Sequence, residues 1–218
     1  MPIGVAEFME NQENRCPVVL VLDTSGSMQG APIRALNEGI QTFQQDVLRD
    51  TQAMLSVETA IVSFGRGGVQ TVQDFVGIDQ LIPPTLEVGG LTPMGMAIEV
   101  ALDLVEDCKA IYKSHGIQYY RPWVFLITDG APTDHWQNAS QKVKQAEAEN
   151  RLLFFSVGVE GADMATLKQI SNTPPVLLNG LDFRDLFQWL SSSMKRVSGG
   201  KVGESIALPP MNWGQITT

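Results

Sequence analysis

At 218 residues the chain is long enough to bury well over half of its unfolded surface and to fold without disulfide or metal staples. Apolar residues make up 44% and charged residues 18%, which excludes a disordered chain. Fifteen basic against twenty-four acidic residues leave a net charge of −9, a poor match to nucleic acid, whose phosphates are held by Lys and Arg.

The run from Pro17 to Asp23 is apolar without alternation, as expected of a parallel strand covered on both faces, and it ends on an acid. After a Gly/Ser-rich turn, Ile33, Leu36, Ile40, Phe43 and Val47 recur at helical spacing, with Pro32 in the first turn. Met54 to Phe64 reads as a second strand. The turn Gly65-Arg-Gly-Gly68 returns the chain into Val69 to Val76, which predicts an antiparallel hairpin at a sheet edge. Pro83-Pro84 and Gly89-Gly90 mark a long loop that ends at Thr92-Pro93. Ala97, Ala101, Leu104, Cys108 and Ile111 make the next helical stripe, followed by a third buried strand from Trp123 to Thr128, again ending on an acid, Asp129.

A helix is expected near Gln137 to Asn150, a strand over Leu152 to Val159, a short helix around Met164 to Ile170 and a small strand at Val176 to Leu178. The last helical stripe, Phe183, Leu186, Phe187, Leu190, Met194 and Val197, reads as core packing against the sheet. Strands alternating with helices, without a repeat of fixed period, predict one α/β layer sandwich: three layers around a doubly wound, mostly parallel sheet with one antiparallel edge strand. The expected division is a lead-in over 1–16, the domain over 17–197 and an extension over 198–218. That extension reads as loosely attached, with Trp213 as a group that could dock back.

Two cysteines, Cys16 and Cys108, are too few for a disulfide framework or a four-cysteine zinc site, and free, packed thiols are the expectation. The first ten residues show no basic leader followed by an apolar core, and no apolar run approaches the ~18 residues of a membrane span. A cytoplasmic protein without a membrane partner is expected.

Asp23-Thr24-Ser25-Gly26-Ser27 follows the first strand, and Asp129-Gly-Ala-Pro-Thr-Asp134 follows the strand beginning at Trp123. Ligands of open α/β sheets bind outside the carboxyl ends of the strands, where neighbouring strands send their chains to opposite faces. If these two strands are neighbours, Asp23 and Asp129 share one crevice, where they repel unless a proton or a cation sits with them. Ser25 and Ser27, on either side of a glycine, can aim two hydroxyls at the same point, and Thr92 adds a third. Two acids and three hydroxyls, with no His or Cys, fit a hard ion of the magnesium class.

With these residues the sequence resembles the von Willebrand factor A domains, whose metal-ion-dependent adhesion site is Asp-x-Ser-x-Ser after the first strand, a later Thr, and an Asp after the fourth strand. Asp23, Ser25, Ser27, Thr92 in Gly89-Gly-Leu-Thr-Pro-Met-Gly95 and Asp129 in Leu126-Ile-Thr-Asp-Gly130 fill all five positions. The resemblance spans residues 17 to 197 and implies a Rossmann-like fold. It also implies binding of Mg²⁺, or of Mn²⁺ or Ca²⁺ in its place. On that resemblance the hydroxyls are expected to coordinate directly, the carboxylates to act often through water, and a partner protein to supply a further carboxylate. Leu22-Asp-Thr-Ser-Gly-Ser-Met28, Pro32-Ile-Arg-Ala-Leu-Asn-Glu38 and the run from Tyr120 to Asp134 are similar to the bacterial TerY-type proteins. These are cytoplasmic domains linked to tellurium-resistance and stress systems, some acting alongside a protein kinase and a phosphatase. The function implied is metal-dependent protein binding, without enzyme activity.

Other readings are weaker. Asp23 alone could be a turn residue, and Asp134 reads as a cap for the helix that follows it. Ser25 interrupts the Asp-Thr-Gly of an aspartic protease and stands where a dehalogenase-type phosphatase needs a second acid. A metal-dependent phosphohydrolase, the alternative function, needs a base or nucleophile near the ion, and the sequence offers no convincing one. A scaffold with a vestigial metal site is the third reading. His115 and His135 read as surface residues, and Gly65-Arg-Gly-Gly68 lacks the Lys-Ser/Thr of a phosphate loop.

Overall fold

The computed structural model describes residues 11–217. The first strand, β1 (Cys16–Thr24), is buried along its whole length. Its alternate residues serve two cores. Val18, Leu20 and Leu22 face one apolar cluster, and Val19 and Val21 face the other on the opposite side of the sheet. That is why the run carries no polar alternation: neither face of a central parallel strand meets water.

The helix α1 (Ala31–Leu48), with Pro32 in its first turn, presses Ile33, Leu36, Ile40 and Phe43 onto the first cluster. The expected second strand begins late. Thr51–Ser56 forms a short helix, α2, because the Asp50 carboxylate accepts the Ala53 amide at 2.9 Å and caps it. The strand β2 (Val57–Gly65) starts at the first β-branched residue of the segment and pairs with the edge strand β3 (Gly68–Gly77) as the predicted antiparallel hairpin. Then come α3 (Met94–Ser114), β4 (Trp123–Thr128), α4 (Gln137–Ala148), β5 (Leu153–Gly158), α5 (Met164–Ile170), β6 (Val176–Leu178) and α6 (Phe183–Ser198).

The sheet order is β3-β2-β1-β4-β5-β6 followed by a seventh strand, β7 (Gly214–Ile216), with parallel pairing from β2 through β6. Helices α1 and α6 cover one face, and α3, α4 and α5 cover the other. This is the expected three-layer, doubly wound architecture, with one difference. The extension does not hang loosely. Gly214–Ile216 forms β7, a second antiparallel edge strand, on β6. Trp213 is 1% exposed and lies edge-on to Trp189 of α6, ring centres 5.6 Å apart. A Cβ on Gly214 would come within 2.5 Å of Val176 Cγ1, so only glycine lets the tail lie this close. Of the lead-in expected over 1–16, residues 1–10 lie outside the described residues.

Cys16 and Cys108 are free and buried in different clusters on opposite faces of the sheet, so no bridge joins them. At the amino end of the sheet, Arg15 and Glu58 form a buried ion pair, Nε to Oε1 2.7 Å, and the Tyr112 hydroxyl donates to the same carboxylate. No helix among the described residues is long and apolar enough to cross a membrane.

Candidate functional site

Strands β1 and β4 are direct neighbours, Leu22 lying opposite Ile127. From β1 the chain passes to α1 on one face, and from β4 to α4 on the other. The condition for a crevice is therefore met, and both acids stand at its mouth. One residue beyond the Leu22–Ile127 pair, the Thr128 hydroxyl donates to Asp23 Oδ2, while the Ser25 amide donates to Asp23 Oδ1 at 2.7 Å. Both carboxylate oxygens are thereby oriented.

Ser25 and Ser27 Oγ lie 3.0 Å apart across the turn Gly26–Met28, and Ser27 Oγ donates to Asp129 Oδ1 at 2.7 Å. Thr92 closes the set. The position a Cβ on Gly130 would take lies 3.6 Å from Thr92 Oγ1 and 3.9 Å from Ser27 Oγ, so the two hydroxyls flank one small gap that glycine keeps open. All five predicted side chains come together at one rim. Asp23, Ser25, Thr92 and Asp129 are buried and Ser27 is exposed, which leaves the set approachable from one side.

Glycine allows the loops to meet here. Gly90 (φ +77°) accepts the Gly26 amide on its carbonyl at 3.4 Å, and a Cβ on it would strike the carbonyl of Gly65. Gly65 (φ +145°) lies so close to Thr24 that a Cβ would sit 2.3 Å from its carbonyl carbon. The Gly89 amide donates to the Thr24 carbonyl at 2.9 Å, tying the long loop to the end of β1 just before Thr92.

Asp134 also acts here, though not as its position in the chain suggests. Its two oxygens accept the amides of Gly95 and Met96, both at 2.9 Å, so it caps α3 rather than the following helix α4. The helix it caps is the one that carries Thr92 at its entrance, and Thr133 adds a second tie by accepting the Thr92 amide at 3.0 Å. Thr128 and Thr133 are contributors that sequence reasoning misses, and Asp134 is a cap that it assigns to the wrong helix. Strand register was the only signal for the first, and no local pattern announces the second or the helix that Asp134 caps.

Electrostatically the site is short of positive charge. Burial pushes the Asp23 carboxyl above its ordinary range, and the Asp129 charge adds to that, against hydrogen bonds from Ser25 and Thr128 that favour the ionised form. Neither Asp23 nor Asp129 enters an ion pair with Lys or Arg among the described residues. No cluster of three or more His, Cys, Asp or Glu suited to a metal occurs among them either. The donor set here has two carboxylates and three hydroxyls, chemistry that fits a hard divalent ion and suits a soft one poorly. His115 and His135 are exposed, as expected.

A family model, the von Willebrand factor type A domain, matches residues 18–189. The chain belongs to the von Willebrand factor type A family. This von Willebrand factor type A domain is 32% identical over 109 residues to matrilin-1 of Gallus gallus, a stretch covering 48% of the chain and 20% of matrilin-1. Among solved structures, it is similar to proximal thread matrix protein 1 from the mussel byssus, with a TM-score of 0.58, 17% identity, and coverage of 84% of this chain and 48% of that one. It is also similar to the pilus adhesin SpaC from Lactobacillus rhamnosus GG, with a TM-score of 0.66, 13% identity, and coverage of 86% and 31%. At these identities the two structures attest the fold. The chain thus spans about a fifth of matrilin-1 and about half of the mussel protein. Domains of this family serve as protein-interaction and adhesion modules, some of them metal-dependent.

Proposed function

We propose that this domain binds a divalent cation at Asp23, Ser25, Ser27, Thr92 and Asp129 and through it engages an acidic group of a partner protein. The observation that carries this reading is the convergence of five oxygen-bearing side chains on a rim whose buried carboxylate is paired with no Lys or Arg among the described residues. Mg²⁺ is the ion of choice, with Mn²⁺ or Ca²⁺ able to take its place. A bound divalent ion supplies an electrophilic centre with room for one further oxygen, since two carboxylates balance its charge and the hydroxyls add none.

The chain's own groups do the rest. Ser25, Ser27 and Thr92 present neutral oxygens. Asp23, held by the Ser25 amide and the Thr128 hydroxyl, and Asp129, held by Ser27, supply the balancing charge. The arrangement forms an adhesion-type site, and the domain acts by binding and not by catalysis. The similarity of its motifs to TerY-type proteins supports a place in a bacterial stress-response or tellurium-resistance assembly, with a kinase or phosphatase of the same system as the partner. A reducing, cytoplasmic setting agrees with the two unbridged thiols.

Calorimetric titration of Ser25→Ala/Ser27→Ala with Mg²⁺ tests the reading. Loss of Mg²⁺ binding with an unchanged circular dichroism spectrum is the expected result, and unchanged affinity rules it out. A pull-down with and without chelator then reads metal dependence and partner together.

A further inference from the structure

At the opposite rim, where β4 and β5 begin, lies a cleft of about 770 Å³, within the size range of small-molecule sites. Its walls are the carboxyl-terminal half of α3, the segment 119–123, the turn 150–151 and the tail from Val202 to Leu208. Its charge runs against that of the chain. Lys109, Lys113, Arg121 and Arg151 line it against Glu106 and Glu204, whereas the whole chain has 15 bases to 24 acids.

The cations differ in what they already hold. Lys109 Nζ and Arg151 Nη1 share one oxygen of Glu106, at 2.9 and 3.2 Å. Lys113 and Arg121 are exposed and enter no ion pair among the described residues. Capping of α3 does not occupy Lys113 either. The carbonyls of Ile111, Tyr112 and Lys113 are taken by the amides of His115, Ile117 and Gly116. The tail wall places Val202, Ile206 and Leu208 among Gly203, Glu204 and Ser205, and it is tied to the body at its start. The Tyr120 hydroxyl donates to the carbonyls of Ser198 and Gly200, and Ile206 packs so tightly over Gly200 that a Cβ there would lie 2.4 Å from its Cδ1. Val202, Ile206 and Leu208 therefore face the cleft from a fixed strap.

We propose that this cleft binds a small organic anion, a phosphate or carboxylate carried on an apolar body, with Lys113 and Arg121 holding the acid group and the tail strap covering the apolar part. A guanidinium and an ammonium lining one cleft match such oxygens by charge and by the planar fork of Arg. A cationic recess on an acidic protein also concentrates anions locally.

Calorimetric titration with phenyl phosphate, phenylacetate and inorganic phosphate tests this, with chelator present throughout so that the anion cannot report on metal at the other rim. Saturable binding of phenyl phosphate or phenylacetate, tighter than that of inorganic phosphate, is the expected result, and whichever probe binds better identifies the acid group. Lys113→Gln/Arg121→Gln, at exposed positions, should weaken that binding by about tenfold or more, as loss of charge-assisted hydrogen bonds does. Lys168→Gln, an exposed charge on α5 outside the cleft, should leave it unchanged. Ile206→Asp should weaken it as well. Three results would overturn the proposal: no saturable binding of either organic probe at millimolar concentration, equal affinity for inorganic phosphate, or a double variant indistinguishable from Lys168→Gln.

Discussion

At the amino end of β2, Glu58 is 2% exposed and shares its carboxylate between Arg15 and the Tyr112 hydroxyl. At the carboxyl end of the neighbouring β1, Asp23 is fully buried and takes hydrogen bonds from the Ser25 amide and the Thr128 hydroxyl, with a second acid nearby. Both are acids withdrawn from water in one sheet. The first has a covalently fixed cation as its partner, and its charge is settled when the chain folds. The second has donors that orient it without neutralising it. A buried charge lacking a counter-charge is costly, so at the carboxyl-end rim either a proton or, on the proposed function, a divalent cation offsets it. Burial alone does not distinguish the two acids; the presence or absence of a paired side-chain cation does.

The largest effect should come from breaking the structural pair. Arg15→Met strands Glu58 without its guanidinium and should cost about 3–5 kcal/mol in urea denaturation, whereas an equally disruptive loss is not expected from the metal-rim serines. A cost below that of an ordinary surface substitution would erase the contrast. Next, Mg²⁺ should stabilise the folded protein by about 2.7 kcal/mol at a hundredfold excess over its dissociation constant. Chelator should remove that gain and Ser25→Ala/Ser27→Ala should abolish it, both read as thermal midpoints. Asp134→Ala removes the cap of α3 and should cost about 1 kcal/mol while weakening Mg²⁺ binding, because Thr92 sits at that helix entrance.

The pH response sharpens the same comparison. Burial, with the Glu58 and Cys108 charges behind it, raises Tyr112 well above its ordinary value. A raised group stabilises the fold fully below its unfolded pKa, about 10 for tyrosine, and that contribution is lost as pH climbs through the folded value. The stability difference between the natural chain and Tyr112→Phe should therefore be flat below pH of about 10 and shrink above it. The smallest effect concerns the thiols. Burial pushes both Cys16 and Cys108 upward, so neither should react with a thiol reagent until the protein unfolds, when both should.

Much of this was legible along the chain. Unbroken apolar runs marked β1 and β4 as central, helical spacing marked α1, α3 and α6, and glycine turns marked the hairpin, because these signals are local and periodic. The sequence places the start of β2 too early, since the Asp50 cap outweighs a run of residues that suit either state. In the tail the sequence points to Trp213 as the group that docks back, but not to β7, because a three-residue strand carries almost no signal of its own and depends on Trp213 meeting Trp189.

By itself the sequence determined the α/β order and the five oxygen-bearing residues with their motif spacing, since each of these depends on neighbours a few residues away. Only the tertiary structure decided that β1 lies beside β4, that Asp134 caps the helix before it, that both sheet edges are antiparallel, and that cations gather at the rim away from the acids. Those facts are contacts between segments distant in the chain, and they follow from strand register and loop closure, which no local pattern encodes.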